Sequence, residues 1–150
     1  MNAVSHIAVA ACLALLVAAN NSAAAADRSG PARGPERGKR IFHGLDAVQG
    51  KVQDNGTALP AQASKCINCH SAQAPGGALA GSAQYLSATT LSRKMSRRGG
   101  PAYFYDQPNF CNTVRTGVDP AGIVLEAKMP RYQISDTQCA DLWLFLSRIR

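Results

Sequence analysis

Apolar residues recur at helical spacing most clearly near the C-terminus. Five of them share one helical face, each lying three or four residues from another member: Cys139, Leu142, Trp143, Leu146 and Ile149. A stripe of this kind predicts a helix with one buried face. Ser135 and Gln138 have the spacing of a capping box, so this helix is predicted to begin directly after Ser135.

Two other segments have helical patterns with clear boundaries. Pro35 suits the first turn of a helix over 36–44, because a proline lacks the N–H that would have no partner there. A second helix is predicted over 106–117, where apolar residues share one face and Gly117 supplies a left-handed stop.

The remainder of the chain has weaker patterns. A short helix is predicted within 87–97, whereas 46–64 and 74–81 are rich in turn-forming residues and are predicted to be loops. No segment alternates apolar and polar residues as a half-buried strand does. We therefore expect an all-α fold with long loops.

The N-terminus has the pattern of a segment that is removed. Residues 1–26 contain no Asp, Glu, Lys or Arg, and an apolar run over 7–19 is followed by small residues. This pattern predicts a secretory signal peptide and a periplasmic protein. The run is shorter than the roughly 20 residues that span a bilayer, so no membrane span is expected in the mature chain. A flexible terminus, 27–34, and one domain, 35–150, would remain.

Charge narrows the class of partner. The 150 residues include 16 Lys and Arg against 9 Asp and Glu, which gives a net charge of +7. Such a balance favours encounters with acidic proteins. The basic run 93–98 has no interleaved aromatic residues, so it indicates a solvated face rather than a nucleic-acid site.

The chemistry is carried by a Cys-x-x-Cys-His motif formed by Cys66, Cys69 and His70. This spacing predicts covalent attachment of a c-type haem by both thiols, with His70 as an iron ligand. A redox-active cysteine pair would usually follow a strand, and none is predicted before this motif. A zinc site would need further ligands, and the other Cys and His residues are scattered. An ordinary disulfide is the remaining alternative.

The order of motifs resembles class I cytochrome c: a helix with a glycine and an aromatic residue, the haem motif, a Met-Pro pair, and a C-terminal helix. In that family the two terminal helices cross, and the matching positions here are Gly38 and Phe42 against Leu142 and Phe145. The resemblance covers 35–150 apart from an insertion before Cys66. The stretches 115–120 and 129–132 resemble a bacterial periplasmic branch of the family.

The resemblance implies three to four helices wrapped around one covalent haem, and an electron carrier rather than an enzyme. It also implies a methionine as the second iron ligand. Met129 precedes Pro130 in a non-helical connection and matches the family's position, whereas Met95 lies in the basic run and His43 lies on the first helix. The family's proline after the motif has no counterpart, so the partner of the His70 ring stays unassigned.

Two cysteines are left after haem attachment, Cys111 and Cys139. An even remainder in an exported protein favours a disulfide, although two separate buried thiols are the alternative. The bond would bracket the segment that carries Met129. We expect it to hold Met129 near the iron.

The expected function is outer-sphere electron transfer through one open haem edge, by a monomer or a subunit of a redox complex. Residues predicted to bury the haem are Phe42, Leu86, Phe110, Val114, Leu142 and Trp143. Candidates for contacts with the haem propionates are Arg97, Arg98, Arg131 and Tyr132. Two alternatives stay open. A fixed subunit of a dehydrogenase or oxidase would be favoured if the aromatic cluster 103–105 is exposed, and a haem enzyme or gas sensor would need an open iron position.

Overall fold

The terminal helices and a helix between them frame the described part of the chain. The computed structural model describes residues 32–54, 56–70 and 85–150. The predicted signal peptide 1–26, most of the terminus 27–34 and the predicted loop 74–81 lie outside these ranges. The described elements are, in order, α1 (Pro35–Phe42), β1 (Gln49–Lys51), α2 (Ile67–His70), α3 (Ala88–Ser92), α4 (Gln107–Thr116), β2 (Arg131–Gln133) and α5 (Asp136–Leu146).

Helix α5 begins where the capping box predicts. The Ser135 side chain accepts a hydrogen bond from the Gln138 backbone N–H, and the Gln138 side chain accepts one from the Ser135 N–H. These two bonds satisfy donors that the first turn of a helix leaves without a partner. Leu142 and Leu146 are buried, whereas Trp143 is only partly buried.

Helices α1 and α5 cross at Gly38. A Cβ atom on Gly38 would lie 2.0 Å from the Asp141 carbonyl oxygen and 2.8 Å from the Phe145 Cβ, so only glycine allows this approach. The rings of Phe42 and Phe145 pack beside the crossing, with centroids 5.6 Å apart. The helix pairing expected from the family resemblance is confirmed.

Helix α4 also matches its prediction. The Asp106 side chain caps its first turn by accepting from the Asn109 N–H, and Gly117 ends it in the left-handed conformation at φ 71°. The short helix predicted within 87–97 is also present, as α3, which ends at Ser92.

A small sheet corrects the expectation of an all-α fold. Strands β1 and β2 pair antiparallel, with Gly50 opposite Tyr132 and Lys51 opposite Arg131. The segment 46–64 is therefore not only a loop. Each strand has three residues, too few to produce the alternation by which strands are recognised in a sequence. The described residues form five helices, whereas the family resemblance implied three to four. Two of the five, α2 and α3, have only four and five residues.

The core lies between α1, α4, α5 and β2. Its buried members include Ile41, Phe42, Leu91, Phe110, Val114, Tyr132, Ile134, Leu142 and Leu146. Among the described residues, no helix has the length and apolar character that crossing a membrane requires.

Candidate functional site

The Cys-x-x-Cys-His motif folds into one helical turn. The N–H of His70 donates to the Cys66 carbonyl at 3.0 Å, and the N–H of Cys69 donates to the same oxygen at 3.2 Å. The Asn68 side chain donates to the Gln62 carbonyl at 2.8 Å and fixes the turn on the preceding segment. Cys66 is partly buried and Cys69 is exposed, and neither is joined to another cysteine of the described chain.

One cavity brings the motif and a methionine together. Its walls include Cys66, Cys69, His70 and Met129, and its volume is about 390 Å³, within the usual range for small-molecule sites. A smaller apolar recess of about 30 Å³ shares Cys66, His70 and Met129 with it. Two thiols, an imidazole and a thioether are the groups that attach and ligate haem c, so the donor set fits this cofactor.

The recess is walled by most of the residues predicted to bury the haem. They are Phe42, Leu86, Phe110, Val114 and Leu142. Trp143 is not among the described lining residues and instead contacts Phe110, with ring centroids 5.4 Å apart.

Of the three candidates for the second iron ligand, Met129 alone shares the described cavity with His70. Met95 pairs its backbone with Tyr103, donating to the Tyr103 carbonyl at 3.0 Å. The His43 ring packs edge-on against Phe42 at the end of α1, with centroids 5.6 Å apart.

Cys66 and Tyr132 are two titratable residues of the cavity wall whose pKa values are shifted by burial. Burial raises the pKa of the Cys66 thiol to about 11. Burial also raises the pKa of Tyr132, whose hydroxyl donates to the Ser64 carbonyl at 3.0 Å. Both side chains therefore stay protonated near neutral pH, and Tyr132 ties β2 to the chain that leads into the motif.

The basic run 93–98 is not a wholly solvated face, because Arg97 is only 7 % exposed. Its guanidinium donates to the carbonyls of Thr90 and, at 2.9 Å, Tyr103. It also stacks on the ring of Tyr103, 4.8 Å from the centroid, and that of Tyr105, 5.4 Å away. The chain reverses between Met95 and Tyr103, whose backbones pair antiparallel, and Arg97 lies within this reversal and turns inward.

Arg98 pairs with Asp119, whose side chain is fully buried. Burial by itself would raise the pKa of Asp119, but hydrogen bonds from the Ile123 N–H, the Tyr103 hydroxyl and Arg98 outweigh it and lower that pKa. The sequence does not predict a role for Asp119. The only local signal is its place in an Asp-Pro-Ala-Gly turn, a sequence typical of turns in general.

Three of the four candidates for propionate contacts lie at the cavity: Arg97, Arg98 and Tyr132. The fourth, Arg131, donates to the Met129 carbonyl at 2.6 Å instead. The aromatic cluster 103–105 is divided, since Tyr103 is buried, Tyr105 is partly buried and Phe104 is 51 % exposed. Two of its three rings therefore belong to the interior, which weakens its support for a permanent interface.

Cys111 of α4 and Cys139 of α5 have their sulfur atoms 2.02 Å apart, the distance of a disulfide. Both residues are buried. Their pairing joins the two helices on either side of the segment that carries Met129.

Comparison with known proteins identifies one family. Residues 53–149 match the family described as Cytochrome c. No curated protein and no solved structure gives a significant match. Within the described ranges, no group of three His, Cys, Asp or Glu side chains lies close enough to hold a metal ion.

Proposed function

Because the chain belongs to the cytochrome c family and is a haem-based electron-transfer protein, we propose that it is a class I, single-haem cytochrome of the bacterial periplasm. In this proposal the signal peptide 1–26 directs export. The mature protein then carries single electrons between redox proteins, and it catalyses no reaction of its own.

The observation that carries the proposal is the shared cavity of the haem motif and Met129. Cys66 and Cys69 would hold the haem through thioether bonds, and His70 and Met129 would supply its two axial ligands. The bound haem supplies a one-electron iron couple, and a His/Met ligand pair raises its reduction potential. Apolar side chains of the recess, among them Phe42, Phe110 and Leu142, would pack against the haem beside His70 and Met129.

Arg97 is the best-supported contact for a haem propionate. The guanidinium is buried and borders the cavity. Among the described residues, no carboxylate forms an ion pair with it. A buried charge without a counter-charge is costly, so an anionic group in the cavity would stabilise this arginine. Arg98 already has Asp119 as its partner.

Partner docking would occur where the cavity opens. Lys65, Arg98 and Lys128 border the cavity, and the chain carries a net charge of +7. These charges would steer proteins with acidic surfaces into brief encounters, of the small and weak kind that redox partners make.

Absorption spectra test the ligand set. The haem-loaded protein is measured oxidised and reduced, with and without carbon monoxide. Low-spin bands with a weak far-red sulfur–iron transition, unchanged by the gas, are expected for a closed His70 and Met129 pair. A high-spin ferrous form that binds carbon monoxide contradicts the carrier and supports an enzyme or sensor. A Met129→Ala variant should lose the far-red band.

Export is tested separately by fractionating cells and sequencing the N-terminus of the purified protein. We expect a periplasmic protein that begins at Ala26 or Asp27. A protein that keeps Met1 and stays in the cytoplasm would contradict the proposed location without affecting the proposed ligands.

A further inference from the structure

Arg131 directs its guanidinium at the segment that carries Met129. One terminal nitrogen donates to the Met129 carbonyl at 2.6 Å. The other donates to the Leu125 carbonyl at 3.4 Å and to the side-chain oxygen of Gln53. A single side chain thus joins both ends of the turn 125–129 to the insertion that precedes Cys66.

Space for this side chain is provided by the end of α4. A Cβ atom on Gly117 would lie 1.7 Å from the guanidinium carbon of Arg131, and Gly117 has φ +71°. Any other residue at position 117 would displace the guanidinium. Burial lowers the pKa of Arg131, yet arginine remains charged at neutral pH.

Strand β1 holds the opposite side of the same segment. Gly50 pairs with Tyr132, and a Cβ atom on Gly50 would lie 3.3 Å from the Pro130 Cβ and 2.8 Å from the Ser64 hydroxyl oxygen. The segment that follows Met129 is therefore packed closely against the chain that enters the haem motif. Strand β1 precedes the residues that match the family, 53–149.

We propose that Arg131 is a positioning residue for Met129, which fixes the backbone so that the thioether faces the cavity. This inference rests on the proposed role of Met129 as an iron ligand. A planar guanidinium can hold two carbonyl groups at once, whereas a lysine ammonium has no such fork. Without Arg131, the turn 125–129 gains conformational freedom. The entropy lost in ordering this turn for iron ligation then lowers the affinity of the thioether for the iron.

The test is displacement of the thioether by imidazole in the full, haem-loaded, oxidised protein. Loss of the far-red band measures the dissociation constant of imidazole. For Arg131→Gln we expect this constant to fall about tenfold, which corresponds to about 1.4 kcal/mol. Arg131→Lys should lie between Arg131→Gln and the wild type.

Arg115 offers a matched control. It too joins a helix to the β2–α5 region, donating to the Ile134 carbonyl at 3.0 Å and to Asp136 at 2.7 Å, but it does not contact the Met129 turn in any described hydrogen bond. Arg115→Gln should lower the melting temperature and leave the imidazole constant within about twofold of the wild type, a difference below 0.5 kcal/mol.

Equal imidazole constants in Arg131→Gln and Arg115→Gln would overturn the positioning role and leave Met129 as a ligand. If Arg131→Gln does not fold, Gln53→Ala removes only one of the acceptors and should still lower the constant about two- to threefold, by the same conversion. An unchanged constant in Gln53→Ala would then count against the inference. A wild-type protein without the far-red band would overturn the proposed ligation, and with it this inference.

Discussion

The Asp119 carboxylate organises the turn that follows α4. One oxygen accepts from the N–H groups of Ala121 and Ile123, at 2.9 and 2.8 Å. The other accepts from the Tyr103 hydroxyl at 2.9 Å and from Arg98. Because Arg98 borders the cavity, this carboxylate also fixes one of the cations at its opening.

Replacing Asp119 by asparagine removes the charge that these donors stabilise. Hydrogen bonds to charged groups contribute roughly 1.5–3 kcal/mol each, so we expect Asp119→Asn to lower the free energy of unfolding by at least that amount at pH 7. The surface pair of Arg40 and Asp46 provides the control. Asp46→Asn should cost less than about 1 kcal/mol, as exposed ion pairs do.

Lowering the pH should reduce the difference in the free energy of unfolding between wild type and Asp119→Asn. The pKa of Asp119 is lower in the folded protein than its ordinary value, which is about 3.9. The carboxylate therefore stabilises the fold fully above about pH 5, and this contribution is lost as pH falls through the folded pKa. Urea unfolding at several pH values measures it. A gap of constant size from pH 7 to pH 3 would contradict this role of Asp119.

At the scale of single residues, the spacing of Cys66, Cys69 and His70 was enough to propose a haem motif. Met129 was proposed because its place before Pro130 matches the family that the sequence resembles, and its local sequence alone does not distinguish it from a packed methionine. All four residues line the same cavity. Arg97 is buried by contacts with residues such as Tyr103, which the chain reaches only by reversing its direction. The sequence of a basic run does not indicate which of its residues will be buried.

Among the elements, the α1–α5 crossing depends most on one small residue. Gly38→Ala would place a methyl group 2.0 Å from the Asp141 carbonyl oxygen, so the two helices must separate. Alanine favours a helix over glycine by about 1 kcal/mol, but overpacking typically costs about 1–3 kcal/mol and the contact here is with rigid backbone. We expect a net loss of about 2 kcal/mol by urea unfolding. Lys39→Ala, an exposed neighbour, should change stability by less than about 0.5 kcal/mol.

The link between Cys111 and Cys139 joins α4 to α5 across 28 residues of sequence. A disulfide closing a loop of this length stabilises by roughly 3–4 kcal/mol on the chain-entropy estimate. We expect Cys111→Ser/Cys139→Ser to lose about this much and to release Met129 from the iron at a lower temperature than wild type does. The loss of stability is measured by urea unfolding, and the release of Met129 by following the far-red band of the oxidised protein during heating.

A reductant provides the control for that pair of substitutions. Because a thiol reductant also reduces the haem iron and removes the far-red band, this control follows urea unfolding by far-ultraviolet circular dichroism. With the reductant present in both samples, the wild type and the double variant should have the same free energy of unfolding. If the double variant keeps both its melting temperature and its far-red band, the disulfide does not hold Met129.

The elements that the sequence predicted well are those with their own boundary residues. Asp106 and Gly117 mark α4, and Ser135 marks α5. Strands β1 and β2 have no such marks, because each exists only through pairing with the other. That pairing depends on Gly50 fitting against Pro130, and no local pattern contains this information.

At the scale of the whole molecule, the rate of electron transfer should depend on where a charge lies and not only on the net charge. Lys128 borders the cavity, whereas Lys94 does not, and both are exposed. Lys128→Glu and Lys94→Glu change the net charge equally. We expect Lys128→Glu to slow reduction of ferricyanide, an anion, more than Lys94→Glu does at low salt, because charges within about 10 Å act most strongly.

Salt and a cationic oxidant complete that test. Raising the ionic strength should slow the reaction of the wild type with ferricyanide and speed its reaction with tris(phenanthroline)cobalt(III), a cationic oxidant, since screening removes attraction in one case and repulsion in the other. Stopped-flow absorbance measures both rates. Equal rates for the two lysine variants would mean that electrons do not leave through this opening.

The meeting of α1 and α5 has a consequence for the surroundings of the haem motif. The Gly34 N–H donates to the Asp141 side chain across 107 residues of sequence, so this contact joins the two ends of the described chain. Leu142 and Leu146 of α5 wall the recess beside Cys66 and His70. The recess is therefore complete only when both ends of the chain are in place, and any local unfolding that separates α5 from α1 also opens the surroundings of the haem motif.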